Sequence, residues 1–270
     1  MTQPDRMDSG TEKLTGRIEA PIGWLTFNNP ERRNAVSLEM WEAIPRVLDA
    51  FEADPTVRVV VITGAGGQSF VAGADISQFE TARATAEANE RYKAVSGKGH
   101  GALARLRKPS IAMIDGFCIG GGLAVALACD LRVASDRSRF GIPAARLGLG
   151  YNFPGVQKLV QLVGPGVARE ILFTAERFPA ETALRMGLIN RMTAQEDLRA
   201  EVCKLAESIA ANAPLTIRAA KLAIGQSLKD PDERDLTAVE EAVKACFDSE
   251  DYAEGRRAFL EKRTPRFQGR

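Results

Sequence analysis

Ile114-Asp115-Gly116-Phe117-Cys118-Ile119-Gly120-Gly121-Gly122, continued by an apolar run to Cys129 and then Asp130, is the stretch on which the fold turns. The β-branched and apolar residues at 110–114 predict a strand. The glycine triplet then opens a short buried helix, whose first N–H groups have no partner within the helix itself. Such a corner favours negative charge. No Lys-Ser/Thr pair follows the glycines, and the Gly-x-Gly-x-x-Gly spacing with a later acidic partner is not met. A developing oxyanion therefore suits this corner better than a nucleotide phosphate.

Upstream, the alternating residues 23–28 predict a strand that ends in the turn Asn28-Asn29-Pro30. Ser37 is placed to cap a helix through Phe51, with Leu38, Trp41, Ile44, Leu48 and Phe51 at helical spacing and Pro45 as a possible kink. The β-branched run 57–63 predicts a strand buried on both faces. After the loop at 70–76, a polar helical stretch covers residues 77–106, with a break expected at Gly97-Lys98-Gly99-His100-Gly101. Strands are expected at 131–135 and 139–142, and helices recur from about residue 166 onward. Alternating strand, loop and helix predict an α/β fold with a largely parallel sheet and a helical last third.

The 270 residues fit one large domain or one domain with a smaller appendage. A hydrophobic fraction of 45% with 26% charged residues suffices for a sizeable core. The formal net charge of +1 recruits neither nucleic acid nor a membrane surface, and no segment has 18 uninterrupted apolar residues. Cys118, Cys129, Cys203 and Cys246 are widely spaced, which predicts free thiols in a reducing, cytoplasmic setting. Residues 1–14 read as a frayed tail and not as a targeting signal. With His100 the sole histidine and no cysteine cluster, neither a metal site nor a Ser-His-acid triad is expected.

Two loops carry the chemistry. Each follows a predicted strand and offers free backbone N–H groups: Gly73-Ala74-Asp75 and Gly120-Gly121-Gly122. Side by side at the ends of neighbouring parallel strands, one N–H from each can hold a single carbonyl oxygen. Asp75, Asp115 and Asp130 sit next to element ends and read as turn or cap residues.

The chain at this point resembles the crotonase superfamily, the enoyl-CoA hydratase/isomerase family. The matching residues are Asn28-Asn29-Pro30-Glu31-Arg32-Arg33-Asn34-Ala35, the segments 70–76, 116–122 and 180–190, Lys108-Pro109-Ser110-Ile111-Ala112, Cys129-Asp130-Leu131-Arg132-Val133-Ala134, Phe140-Gly141-Ile142-Pro143 and the terminal 249–267. The resemblance implies a spiral of ββα units over residues 14–205, a helical trimerisation region over 206–270, assembly as a homotrimer or dimer of trimers, and an acyl-CoA thioester as substrate with no separate cofactor. It implies an oxyanion hole from the N–H groups of Ala74 and Gly121. It also implies CoA contacts from Arg33, Ala35, Ala72, Asp75 and Ile76, with Phe259 and Lys262 covering the nucleotide end.

One departure from the family pattern bears on the reaction. Hydratases of this family place two glutamates around the attacking water, at positions where this chain has Ala124 and Ala144. A methyl group moves no proton, and each acid or base is worth about 10²- to 10⁴-fold in rate. Tyr151-Asn152 resembles the pocket of methylmalonyl-CoA decarboxylases, which also lack the two glutamates. Loss of CO₂ yields the enolate without a base, so the expected reaction is decarboxylation of a small β-carboxyacyl-CoA, with Tyr151 and Asn152 orienting the carboxylate. The amide of Asn152 cannot replace the aspartate nucleophile of aryl-CoA dehalogenases. The alternatives are a hydratase or isomerase that recruits Tyr151, Glu80, Glu87 or Glu90 as acid or base, and a non-catalytic acyl-CoA binder.

Overall fold

The computed structural model of the protein describes residues 6–75 and 85–270. In chain order the elements are β1 (Arg6–Met7), β2 (Leu14–Glu19), β3 (Ile22–Phe27), α1 (Leu38–Ala53), β4 (Val59–Gly64), β5 (Ser69–Val71), α2 (Ala86–Arg105), β6 (Ser110–Ile114), β7 (Phe117–Ile119), α3 (Gly121–Ala128), β8 (Leu131–Ser135), β9 (Arg139–Gly141), α4 (Phe153–Thr174), β10 (Phe178–Pro179), α5 (Ala180–Arg185), β11 (Arg191–Thr193), α6 (Leu198–Ala210), α7 (Pro214–Ser227), α8 (Leu236–Phe247) and α9 (Glu250–Leu260). They build two sheets, in the orders β1-β2-β3-β4-β6-β8-β11 and β10-β9-β7-β5. From β3 to β11 the large sheet is parallel, whereas β1, β2 and β3 pair antiparallel. In the small sheet β5, β7 and β9 run parallel and β10 antiparallel. The α/β architecture agrees with the sequence expectation, with sheets more mixed than the pattern implied.

Period-2 alternation explains the two cores. Val60 and Ile62 of β4 face the larger cluster with α1 and α2, while Val59 and Val61 face a second cluster closed by Leu198, Val202 and Ala206 of α6. The β-branched run at 57–63 is thus buried on both sides of one strand, as a parallel central strand must be. Ser37 stands at the N-cap of α1, whose Met40, Trp41, Ile44, Leu48 and Phe51 are buried.

Three expectations are corrected. Helix α2 runs unbroken through Gly97, Gly99 and Gly101. The reason at Gly99 is packing: a Cβ there would lie 2.7 Å from Trp41 Cε3, so the missing side chain lets α2 settle on α1. A helical segment precedes the one expected from about 166: α4 starts at Phe153, where Asn152 caps it and Pro154 occupies the first turn, and a kink at non-helical Gly164 (φ 75°, ψ 165°) separates that segment from the expected one. The segment from residue 6 to 14 is no frayed tail. Arg6 and Met7 pair with Arg17 and Gly16, and buried Ser9 donates through Oγ to the carbonyls of Leu14 and Thr11.

Asn34 ties the two sheets to the loops that precede the site. It is fully buried in the left-handed region, φ +57°. Its Oδ1 accepts from Asn29 N (2.9 Å), and its Nδ2 donates to the carbonyls of Ala65 (2.9 Å) and Ser69 (2.8 Å). Substitution Asn34→Ala strands those partners in the core and should cost about 2–3 kcal/mol of stability, read as a lowered urea midpoint.

Candidate active site

The site is built where the C-terminal end of β5 meets the start of α3. Val36 and Ala74 form an isolated parallel bridge, in which Val36 N donates to the Gly73 carbonyl (2.8 Å) and Asp75 N to the Val36 carbonyl (3.1 Å). In a parallel bridge the residue between those two bonds turns its own N–H to the other side. That side faces Gly121: a Cβ built on Gly121 would lie 3.5 Å from Ala74 N. Gly73, at φ +112°, makes the turn possible.

Gly121 is the first residue of α3, so its N–H has no carbonyl to bond within the helix. Gly120 before it adopts φ 54°, ψ −114°, a conformation closed to residues with a Cβ, and its own N–H is held by the Gly141 carbonyl at 2.8 Å. Among the described backbone hydrogen bonds, neither Ala74 N nor Gly121 N is a donor. Two unspent N–H groups therefore meet at one corner, with the positive pole of α3 behind one of them. This arrangement can hold an oxygen that gains negative charge.

Among the described residues, the side chains predicted for the site carry little proton chemistry. Ala124 is half-buried one turn into α3, and Ala144 is 7% exposed in the short 3₁₀ turn Pro143–Leu147. Tyr151 packs against the main core cluster, with its ring over Gly155. Burial, and secondarily the Cys118 thiol, push its phenol up to about 12, so at neutral pH it is a hydrogen-bond donor and no base. Asn152 is exposed, and its Oδ1 accepts from Gly155 N at 3.0 Å as the cap of α4. Its amide oxygen is thereby engaged in holding the helix.

The predicted CoA contacts divide. Arg33 lies in the left-handed region, its carbonyl accepting from Ala72 N (3.1 Å), and its guanidinium lies 5.5 Å from the Phe117 ring centroid, with Arg177 at 5.6 Å on the same ring. Ala35, Ala72 and Asp75 are half-buried beside the corner. Ile76 and the candidate acid Glu80 lie outside the described residues. Glu87 is exposed, and Glu90 pairs with Lys93 at 2.7 Å. Phe259 and Lys262 are exposed at the end of α9, and neither has a described hydrogen bond or ion pair to the Gly73 and Gly121 loops.

Asp115 and Asp130 serve as structural acceptors. Asp115 takes Ser135 Oγ and Arg137, and Asp130 takes Ser110 N, Ser110 Oγ and Lys221. His100 lies against the Trp41 ring at 4.3 Å between centroids, and burial together with Lys158 lowers its pKa to about 4. The thiols of Cys118 and Cys129 are buried and pushed up, the latter to about 12. Sequence reasoning gave Asn34 and Arg132 no role of their own. The only signal was an Asn in a turn and an Arg inside an apolar strand, and neither names its partners.

The two-sheet α/β fold and the paired N–H groups define the crotonase class of acyl-CoA enzymes. Residues 17–270 match the family model described as Enoyl-CoA hydratase/isomerase, and the chain belongs to that family. It is similar to the short-chain-enoyl-CoA hydratase of Clostridium acetobutylicum, 37% identical over 245 residues, which covers 91% of this chain and 93% of that protein. The crotonyl-CoA hydratase of Syntrophomonas wolfei is also 37% identical, over 95% of this chain and 98% of its own. Among solved structures, an enoyl-CoA hydratase/isomerase family protein from Hyphomonas neptunium superposes with a TM-score of 0.90 at 38% identity, covering 97% of this chain and 100% of that one.

The Tyr151 phenol generates a pH prediction. Its folded pKa of about 12 lies above the free value of about 10, so the unfolded chain ionises first. The Tyr151 contribution is complete below pH 10 and is lost as pH rises toward 12. Urea midpoints measured across that window should fall less steeply in Tyr151→Phe than in the parent protein.

Proposed function

We propose that this protein converts an acyl-CoA thioester through an enolate whose oxygen is bound by the N–H groups of Ala74 and Gly121. The leading reaction is decarboxylation of a small β-carboxyacyl-CoA such as methylmalonyl-CoA. The observation that carries this reading is the combination of a two-N–H corner with alanine at both 124 and 144. A site so made stabilises charge on oxygen and has no carboxylate at either position to deliver water. When the C–C bond to the carboxylate lies perpendicular to the thioester plane, its electron pair passes into the enolate, CO₂ departs, and a proton then adds at the carbon that lost it.

Tyr151 is assigned the alignment of that carboxylate. Its phenol stays protonated at neutral pH and can donate to one carboxylate oxygen. Asn152, committed to the cap of α4, supports the position of Tyr151 in this reading. Arg33, Ala35, Ala72 and Asp75 line the CoA path, with CoA entering as part of the substrate and no other cofactor. The exposed apolar side chains Ile224, Leu236, Val243 and Phe247 on α7 and α8 support assembly as a trimer or dimer of trimers. The free thiols support a cytoplasmic site of action.

The names of the relatives favour hydration, so the deciding assay runs crotonyl-CoA and methylmalonyl-CoA in parallel with mass-spectrometric detection. The expected result is CO₂ loss from methylmalonyl-CoA without hydration of crotonyl-CoA, reduced about 10²-fold in Tyr151→Phe through misalignment. Brisk hydration of crotonyl-CoA would replace this reading with a hydratase. Gly121→Pro removes one oxyanion donor at the helix position where proline is best tolerated. Turnover should fall about 10²- to 10³-fold, with circular dichroism and urea midpoint close to the parent values.

A further inference from the structure

A buried cation lies at the end of α3 opposite the glycine corner. Arg132 of β8 is 4% exposed. Every described hydrogen bond of its guanidinium goes to a neutral acceptor: Nη1 to the carbonyls of Ala126 (3.4 Å) and Cys129 (2.8 Å), Nε to the Leu188 carbonyl (2.9 Å), and Nη2 to Asn190 Oδ1 (3.4 Å). Two of these carbonyls close the last turn of α3. The titratable groups around it are Asp130, Cys118 and Cys129. Asp130 is already paired with Lys221 at 2.7 Å, and both thiols are held protonated by burial.

A helix end carries about half an elementary charge, positive at the N-terminus and negative at the C-terminus. In a helix as short as α3, eight residues or about 12 Å, the negative pole works against the positive one at the substrate. A full positive charge seated on that negative pole reverses its sign. The same contacts hold α3 along its axis against the turn at residues 188–190, so the height of Gly121 above β5 is set from behind.

We propose that Arg132 is a positioning residue for the enolate, cancelling the C-terminal pole of α3 and fixing the helix so that its N-terminal pole and the Gly121 N–H act fully on the thioester oxygen. This rests on the oxyanion role proposed above for Ala74 and Gly121. A unit charge at about 12 Å in an effective dielectric of about 20 corresponds to a rate effect of about tenfold.

The test reads carbonyl polarisation directly, with acetyl-CoA labelled with carbon-13 at the thioester carbonyl and bound to the protein, by isotope-edited infrared spectroscopy. The parent protein should lower the C=O stretch relative to the free thioester. Asn190→Asp sets a carboxylate against Arg132 and leaves the guanidinium in place, and it should shrink that lowering without loss of fold. Arg132→Gln should do the same, and Arg132→Lys should restore part of it. With the substrate identified by the turnover assay, kcat of Asn190→Asp should fall about tenfold with KM nearly unchanged. A folded Asn190→Asp that binds acetyl-CoA and shows the parent carbonyl stretch overturns the proposal, leaving Arg132 a purely structural tie. Absence of any lowering in the parent protein overturns the oxyanion role itself, a different result from the first.

Discussion

The contact on which the site depends is the approach of the first turn of α3 to the end of β5. A Cβ on Gly122 would lie 1.9 Å from the Val71 carbonyl oxygen, an overlap no rotamer relieves because backbone stands on both sides. Glycine at 122 therefore sets how closely helix and strand meet. That distance in turn puts Gly121 beside Ala74. The large sheet, the α1–α2 layer and the Asn34 bonds all hold the two loops at this separation. Packed interiors transmit such displacements because they have no slack to absorb them.

The consequence is a site made of backbone. The charge-stabilising groups proposed for it are two N–H donors and a helix pole, which do not titrate. The side chains assigned to the site are correspondingly quiet: alanine at 124 and 144, and a phenol whose ionisation burial disfavours. A preorganised oxyanion site needs no reorganisation when charge develops. It also leaves the choice of reaction to whatever neighbouring groups can deliver or withhold a proton.

Much of the fold was legible because its signals are local. The run at 57–63 says buried strand by composition alone, and Ser37 followed by apolar residues at helical spacing says capped helix. The errors have equally local causes. Three glycines within five residues of α2 read as a break, yet at Gly99 the missing side chain makes room for Trp41. Tyr151-Asn152 read as pocket residues with no helix at 153, although Asn at the cap and Pro in the first turn are also how a helix begins. Propensity is a local statement, and in both places a tertiary neighbour or a cap decided between two conformations the residues allow.

The sequence by itself determined the alternation of strand and helix, the two glycine-bearing loops and the absence of carboxylates at 124 and 144, because each of these is a property of residue type and spacing. Only the tertiary structure decided that Ala74 N–H turns toward Gly121, that Asn34 binds the Ala65 and Ser69 carbonyls, and that Arg132 caps the far end of α3. Those facts concern directions in space and contacts between separate elements, and a hydrogen bond exists only where the fold has brought both its ends together.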